Sequence, residues 1–448
     1  MSAAISRRDG RPRLAVLYHY LHPDDVVSAR HFTDLCLELQ ARGWEVEALP
    51  CNRSCRGRAA YPLREEWQGL TFRRVWRPDF KQSSGAGRLL NAAWMILSWC
   101  RLGFRSRGRL PDAVLVGTDP VLSVLTFSIL RRLRPSLVLA HWAFDLYPEA
   151  PIADGMVRED SGSVRLLRRL LRGAYGACDL VADLGPCMRR RLEAYGHQGE
   201  KTTIVPWALY EPEAALEVDP KVRRQLFGDC RLGLLYSGNY GRAHACREFL
   251  LLARELREDG IRFCFSVRGN RESELRAAVQ PEDGNVSFAE FATESELGAR
   301  LSAADIHLVS LQDEWTGVVV PSKFFGCLAA GRPVLYRGRP DSGIGRWIAE
   351  HGVGWMLTES SVPQIAGELR RLAADPSALR LLQRRCFEVY QRHFSRRRSA
   401  EAWDRGLRAA LGRRSAAGET GIDARIAPPR RTGGIPADPA RTARHSVA

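Results

Sequence analysis

Short unbroken runs of apolar residues alternate along this chain with longer stretches in which apolar positions recur every three to four residues. A short run bounded by turn residues marks a strand buried on both faces, and the longer period marks a helix with one buried side. The alternation predicts an α/β chain with parallel sheets wrapped by helices. Strands are predicted at 14–19, 44–49, 113–117, 137–141, 179–182 and 203–205, with helices at 29–42, 88–103, 121–132, 164–177 and 186–195. The pattern lapses over YEPEAALEVDPKVRRQLFGDC, a polar stretch that reads as a linker, and restarts with LGLLYSG. Strands then follow at 232–238, 262–267, 286–288, 305–310 and 333–336, alternating with helices at 244–257, 271–279, 294–303 and 321–330, and 362–411 is helical.

Two doubly wound domains in series follow from this pattern, and 448 residues exceed what one core usually supports. The predicted boundaries are a loose N-terminus at 1–12, a first domain at 13–207, a linker at 208–230 and a second domain at 231–411 whose last helix has the option of crossing back to the first. The segment 412–448, rich in Pro, Gly, Ala and Arg without an apolar period, reads as disordered. The first apolar run, LAVLYHYL, is too short to span a bilayer and lacks a small-residue cleavage site, so a cytoplasmic protein is expected. Eleven scattered cysteines suggest reduced thiols.

Charge changes this picture. The net charge is +16, and only part of it sits in the tail, where seven arginines face three acids. Arginine clusters at 101–109, 131–134, 165–172 and 189–191 load the first half and suit phosphates, unless they are simply a solvated face. The stretch LLNAAWMILSWCRLGFRSRGR combines leucines, tryptophans and a basic flank. It reads as a sheet-covering helix or as one lying at a membrane surface.

Two stretches carry candidate chemistry in the second half. In LLYSGNYGRAHACREF a strand runs into Gly238 and Gly241, then into a helix mouth with Arg242 and, five residues on, Arg247. In VVPSKFFGCLAAGRPVLY, Pro321 suits a first helical position, leaving amides near Ser322 and Lys323 free to meet an anion. Two cationic helix mouths at strand ends of one domain predict a diphosphate site. In the first half, AHWAFDLYPEA carries His141, Asp145 and Glu149 past a strand, and HYLHPDDVVSARHF carries Asp25, Ser28 and Arg30. Neither has metal-ligand spacing and there is no Asp-x-Asp, so no metal and no cofactor are expected.

With these residues placed, the chain resembles glycosyltransferases of the GT-B fold, in the large retaining family four, and within it the branch that builds O-antigen and colanic-acid-type polysaccharides. The resemblance runs from about Leu14 to Leu411 and is carried by YSGNYGRAH, NVSFAEFATESELGARLSAADIHLVSL and VVPSKFFGCLAAGRPVLY, supported by DLYPEA. It implies two Rossmann-like domains facing a cleft, a nucleoside-diphosphate sugar as donor and a lipid-diphosphate-linked or saccharide acceptor. Transfer would be metal-independent with retained configuration. By position, Arg242 and Arg247 would match the basic pair on the donor diphosphate, with Gly238 and Gly241 beside it and Lys323 assisting. His141, Asp145 and Glu149 would be the catalytic candidates on the acceptor side, with Asp25, Ser28 and Arg30 near them.

Two departures stand out. The family often places a Glu pair where this chain has Val318 and Gly326, which leaves Glu314, Asp313 or Ser322 to meet ribose and sugar. Val26 and Val27 stand where relatives often have glycine. The competing readings are a nucleotide-sugar epimerase of the same fold and a non-catalytic anion-binding scaffold at membrane or nucleic acid. The preferred partners are an NDP-sugar, a lipid-linked acceptor and peripheral contact with the anionic inner membrane, with no nucleic acid.

Overall fold

The computed structural model describes residues 10–57, 59–82, 84–101, 110–197 and 199–426. The first sheet contains β1 (Arg13–Leu17), β2 (Glu45–Ala48), β3 (Arg64–Trp67), β4 (Leu70–Arg73), β5 (Ala113–Gly117), β6 (Val138–Trp142), β7 (Leu180–Asp183) and β8 (Glu200–Thr203). Their order is β3-β4-β2-β1-β5-β6-β7-β8, parallel except for β3. The second contains β9 (Leu232–Asn239), β10 (Ile261–Arg268), β11 (Val286–Phe288), β12 (Ile306–Ser310), β13 (Val334–Arg337) and β14 (Gly354–Met356), parallel in the order β11-β10-β9-β12-β13-β14. In each sheet the strand order reverses beside the first strand of the domain, which opens a crevice at the carboxyl edge.

Helices fill the crossovers. The first half supplies α1 (Val27–Ala41), α2 (Gly85–Cys100), α3 (Thr126–Leu133), α4 (Glu149–Ala153), α5 (Gly162–Gly176) and α6 (Pro186–Glu193). The second supplies α7 (Pro220–Phe227), α8 (Arg247–Glu255), α9 (Glu272–Ala278), α10 (Leu297–Ala303), α11 (Lys323–Ala329), α12 (Gly343–His351), α13 (Val362–Ala374), α14 (Pro376–Val389) and α15 (Arg396–Ile426). After a π-helical turn at Tyr390–Phe394, α15 returns to the first domain and packs on α1, β6, β7 and β8. There Ala400, Trp403, Leu407 and Ala410 enter the first core, Trp403 meeting Trp142 edge-on at 5.5 Å. Burying a large aromatic side chain in this way is worth roughly 2–3 kcal/mol. Hydrogen bonds reinforce the crossing: Arg396 N donates to Glu211 Oε1 at 2.7 Å and Ser399 Oγ to the Val205 carbonyl at 2.9 Å.

Several elements differ from the sequence expectation. The edge hairpin β3–β4 was hidden because REEW has no apolar run, and its turn at Gln68 and Gly69, both at positive φ, is the one signal for it. Within the expected linker, α7 forms because Asp219 accepts from the amides of Lys221 and Val222 and Pro220 takes the first helical position. The short β14 and α12 follow β13. The helix expected to stop near Leu411 runs on to Ile426, past the start of the segment read as disordered, and 427–448 lie outside the described residues.

The helix expected at 88–103 is α2, which buries Ala92, Met95 and Trp99 on the sheet; residues 102–109 lie outside the described residues. Among the described residues, no helix is long and apolar enough to cross a membrane.

Candidate active site

The carboxyl edges of the two sheets face one another. Leu146 N, past β6, donates to the Val318 carbonyl at 3.2 Å, and Arg191 Nε, on α6, donates to the Thr316 carbonyl at 3.1 Å.

On the second-domain wall, β9 ends at Gly238 and Asn239. Gly238 has φ +134, and a Cβ there would lie 2.7 Å from Lys323 Cε. The glycine is needed twice over, for its backbone angle and for the lysine stem that crosses it. Lys323 opens α11, behind Pro321, and Ser322 at the N-cap makes no side-chain cap bond. The ammonium donates to Tyr236 Oη at 2.6 Å and to the Asn239 carbonyl at 2.7 Å, and stands 4.1 Å from the Tyr236 ring centroid. With no carboxylate beside it among the described residues, burial lowers its pKa to about 7. His244 next to it is pushed down to about 3 by burial and by Lys323, and its ring donates to the Ser310 carbonyl. It is a neutral structural brace.

Arg242 emerges from the same β9 end, and its guanidinium pairs across the seam with Asp154 just after α4. Arg242 and Lys323 therefore share one strand terminus. Arg247 does not join them: on the first turn of α8 it pairs with Glu359 at 2.8 Å, both side chains well exposed. Five residues of loop and helix start turn it outward, which corrects its expected place on the diphosphate. Gly241 has ordinary backbone angles and lies beside Asn270. Glu314 is exposed on the short turn Asp313–Trp315, and Asp313 is held by Arg337 at 3.2 Å. Where relatives often carry the Glu pair, Val318 is fully buried under its bond to Leu146, and a Cβ at Gly326 would make only ordinary contact with Leu301.

The first-domain wall keeps one of the three catalytic candidates. His141 belongs to β6, every residue of which is buried; its ring donates to the Val116 carbonyl at 2.9 Å, and burial lowers its pKa to about 4. It is a core histidine. Glu149 is also buried, accepting from Tyr195 Oη at 2.6 Å and Arg168 Nε at 3.3 Å, and it pins α4 to α5 and to the turn after α6. Asp145, three residues past the strand end, is solvent-accessible; desolvation by the protein around its carboxyl and then the nearby Asp119 carboxylate raise its pKa to about 6.

Sequence reasoning missed Asp119, two residues past β5, and its partner His19 at the end of β1. His19 Nδ1 lies 3.2 Å from Asp119 Oδ1. Burial would lower the imidazole, but the carboxylate overrides it and holds the His19 pKa at about 9. The Nε2 of His19 is buried with no hydrogen-bond partner among the described residues. Of the loop candidates, Asp25 is exposed and pairs with Arg56 at 3.2 Å, and Ser28 hydrogen-bonds Tyr18. Arg30 crosses to Glu294 of the second domain at 2.7 Å.

A cavity of about 420 Å³ lies where the walls meet, lined by Asp154, Arg242, Asn270, Arg271, Gln312 and Trp315 among others. Of these, sequence reasoning had singled out Arg242 alone. Arg271 and Gln312 both donate to the His244 carbonyl, so the cavity floor is a rigid polar mesh.

A sequence profile of the Glycosyl transferase 4-like domain matches residues 28–208. The chain is 27% identical to the probable glycosyltransferase WbjE of Pseudomonas aeruginosa, over 56% of this chain and 63% of that protein. It is 25% identical to the putative colanic acid biosynthesis glycosyl transferase WcaI of Escherichia coli (strain K12), over 57% of this chain and 65% of that protein. It thus spans a little under two thirds of the length of the curated relatives it matches. Among solved structures it is similar to sucrose-phosphate synthase from Thermosynechococcus elongatus, with TM-score 0.66, 15% identity and coverage of 90% and 99% of the two chains. It is also similar to Anabaena HepE in complex with UDP-glucose, with TM-score 0.56, 10% identity and coverage of 89% and 99%. The chain has the GT-B fold, and its residues 28–208 match a glycosyl transferase 4-like domain.

Proposed function

We propose that the protein transfers a sugar from a nucleoside-diphosphate sugar to an acceptor hydroxyl, with retention of configuration, in the assembly of a cell-surface polysaccharide. The acceptor is linked to a lipid diphosphate, and the protein works on the cytoplasmic side in peripheral contact with the anionic inner leaflet. One observation carries the reading: at the carboxyl end of β9, Lys323 bonds the Asn239 carbonyl and Arg242, three residues on, reaches across to Asp154 of the first domain beside a polar cavity. Further support comes from relatives that are probable or putative glycosyltransferases, one of them for colanic acid, and from a similar fold that holds UDP-glucose.

In this reading the bond between the anomeric carbon and the diphosphate oxygen breaks as the acceptor oxygen bonds the same face of that carbon. The acceptor proton leaves on a diphosphate oxygen. Negative charge grows on the leaving group, where Lys323 and a released Arg242 stabilise it in a partly dehydrated site. A lysine poised near pKa 7 gains its full charge when a diphosphate arrives. Asp145 and the His19–Asp119 pair line the acceptor side and orient its hydroxyls.

Thermal stabilisation by UDP, GDP and dTDP identifies the base, since a ligand of the folded state raises its apparent stability. Product analysis with and without lipid extract then tests transfer. Sugar appearing on a lipid only when both substrates are present supports the reading. Donor consumed or isomerised without any acceptor would assign an epimerase instead, and no saturable nucleotide binding would leave a scaffold.

A further inference from the structure

Helices α2, α3 and α5 cover one face of the first sheet, with α3 packed between the other two. Right-handed crossovers set them opposite α1 and α15. The three helices contain seven arginines and no aspartate or glutamate. A helix that only covers a sheet usually mixes and pairs its charges on the wet side. The opposite face does so: Arg396 meets Asp34 and Glu38, and Arg408 meets Asp404. On the α2–α3–α5 face, Arg131 is tied to Asp179 and Arg168 to Glu149 and Glu159. Arg88, Arg132, Arg165, Arg169 and Arg172 are exposed and make no ion pair among the described residues.

Between these cations stand large apolar side chains turned to water. On α2, Leu89, Leu90 and Leu97 are 56%, 52% and 62% exposed; on α5, Leu166 and Leu170 are 61% and 51% exposed. Trp94 adds its ring, with its indole N–H satisfied by the Trp76 carbonyl at 2.6 Å and the exposed Trp76 edge-on at 5.4 Å. On α1 and the described side chains of α15, the only large apolar residue so exposed is Val27.

We propose that the α2–α3–α5 face docks the protein onto an anionic lipid bilayer. This deepens the transfer reading and rests on its lipid-linked acceptor. The pattern itself chooses the occupant. Phosphates of a nucleic acid would match the arginines but leave five exposed leucines unexplained, whereas a bilayer offers an anionic headgroup plane and an apolar layer beneath it. The layer of three helices is broad, as a planar partner requires. Both α2 and α5 precede a parallel strand and run back toward its start, so their first turns, with Leu89, Leu90 and Leu166, lie toward the carboxyl edge of the sheet, the edge that faces the cleft. Docking there sets the cleft mouth at headgroup level, where a lipid diphosphate presents its sugar.

The test is co-sedimentation of the full chain with vesicles of phosphatidylcholine alone or mixed with phosphatidylglycerol, across a salt series. The protein binds the mixed vesicles, is released as salt rises, and binds neutral vesicles weakly. Replacing Arg165, Arg169 and Arg172 with Ser weakens partition on the order of a hundredfold. The variant Leu89→Glu with Leu166→Glu also loses binding, while Arg397→Ser with Arg405→Ser on α15 binds as the parent does. Thermal melts confirm that each variant is folded, which these exposed positions permit. The proposal is overturned if the parent stays unbound, if the face variants bind like the α15 variant, or if single-stranded DNA is held as tightly as the mixed vesicles. Sugar transfer to the lipid extract dispersed in detergent, which needs no bilayer, is measured in parallel. Vesicle binding without any transfer would retire the transfer reading alone, and transfer without vesicle binding would retire the docking face alone.

Discussion

The two walls of the cleft are built by the same device and charged in opposite senses. On the second-domain wall, the strand that opens the domain delivers a lysine without a carboxylate beside it and an arginine whose partner belongs to the other domain. On the first-domain wall, the equivalent strand ends deliver His19, Asp119 and Asp145, a cation already neutralised and a carboxyl held near pKa 6. A wall with cations to spare suits a leaving diphosphate, and a wall of hydrogen-bond acceptors suits an acceptor sugar. The Asp154–Arg242 pair joins them, so the first wall occupies the cation that the donor needs.

Four changes would break or sharpen this contrast. The largest effect is expected at Lys323. Lys323→Met removes a charge that holds the diphosphate and gains further as negative charge grows on the leaving group, and should lower the transfer rate roughly a hundred- to a thousandfold in steady-state assays. Gly238→Ala comes next. Its φ of +134 and the 2.7 Å approach to Lys323 make any side chain costly, by roughly 1–3 kcal/mol. A lowered melting temperature and about tenfold weaker NDP binding should appear together.

The third is a pH dependence with a definite sign. Free Lys323 has its pKa lowered to about 7, and a bound diphosphate raises it, so binding takes up a proton above that pH. NDP affinity should be greatest below pH 7 and fall by up to about tenfold per pH unit above it, by calorimetry in buffers of different ionisation heat. In Lys323→Met that slope should vanish. The smallest effect is at the seam: Asp154→Asn frees Arg242 from a half-exposed pair worth about 0.2–1 kcal/mol, and should tighten NDP binding about two- to fivefold.

The cationic wall was legible because its signals are local. Gly238, Pro321 and Lys323 each announce a turn or a helix mouth within a few residues, and the alternation of runs placed both mouths at strand ends. Arg247 was misplaced because adjacency in sequence says nothing about which way a side chain leaves a helix, and here it leaves toward Glu359. His141 was misplaced by a shift of a few residues. It lies inside β6, and in a strand buried on both faces only residues beyond the end, such as Asp145, reach the crevice. The pairs that define the acidic wall and the seam, His19 with Asp119 and Arg242 with Asp154, join positions 100 and 88 residues apart, and no periodicity connects them. The exposed leucines of α2 and α5 were visible as apolar residues, but only packing shows which of them the sheet covers.

The most direct test compares a nucleoside diphosphate with its nucleoside by calorimetry, in the parent and in Arg242→Ala with Lys323→Met. If these two side chains hold the diphosphate, the parent prefers the diphosphate by a wide margin, and the variant loses that preference while keeping its nucleoside affinity. Equal losses for both ligands would place the phosphates elsewhere and contradict the account.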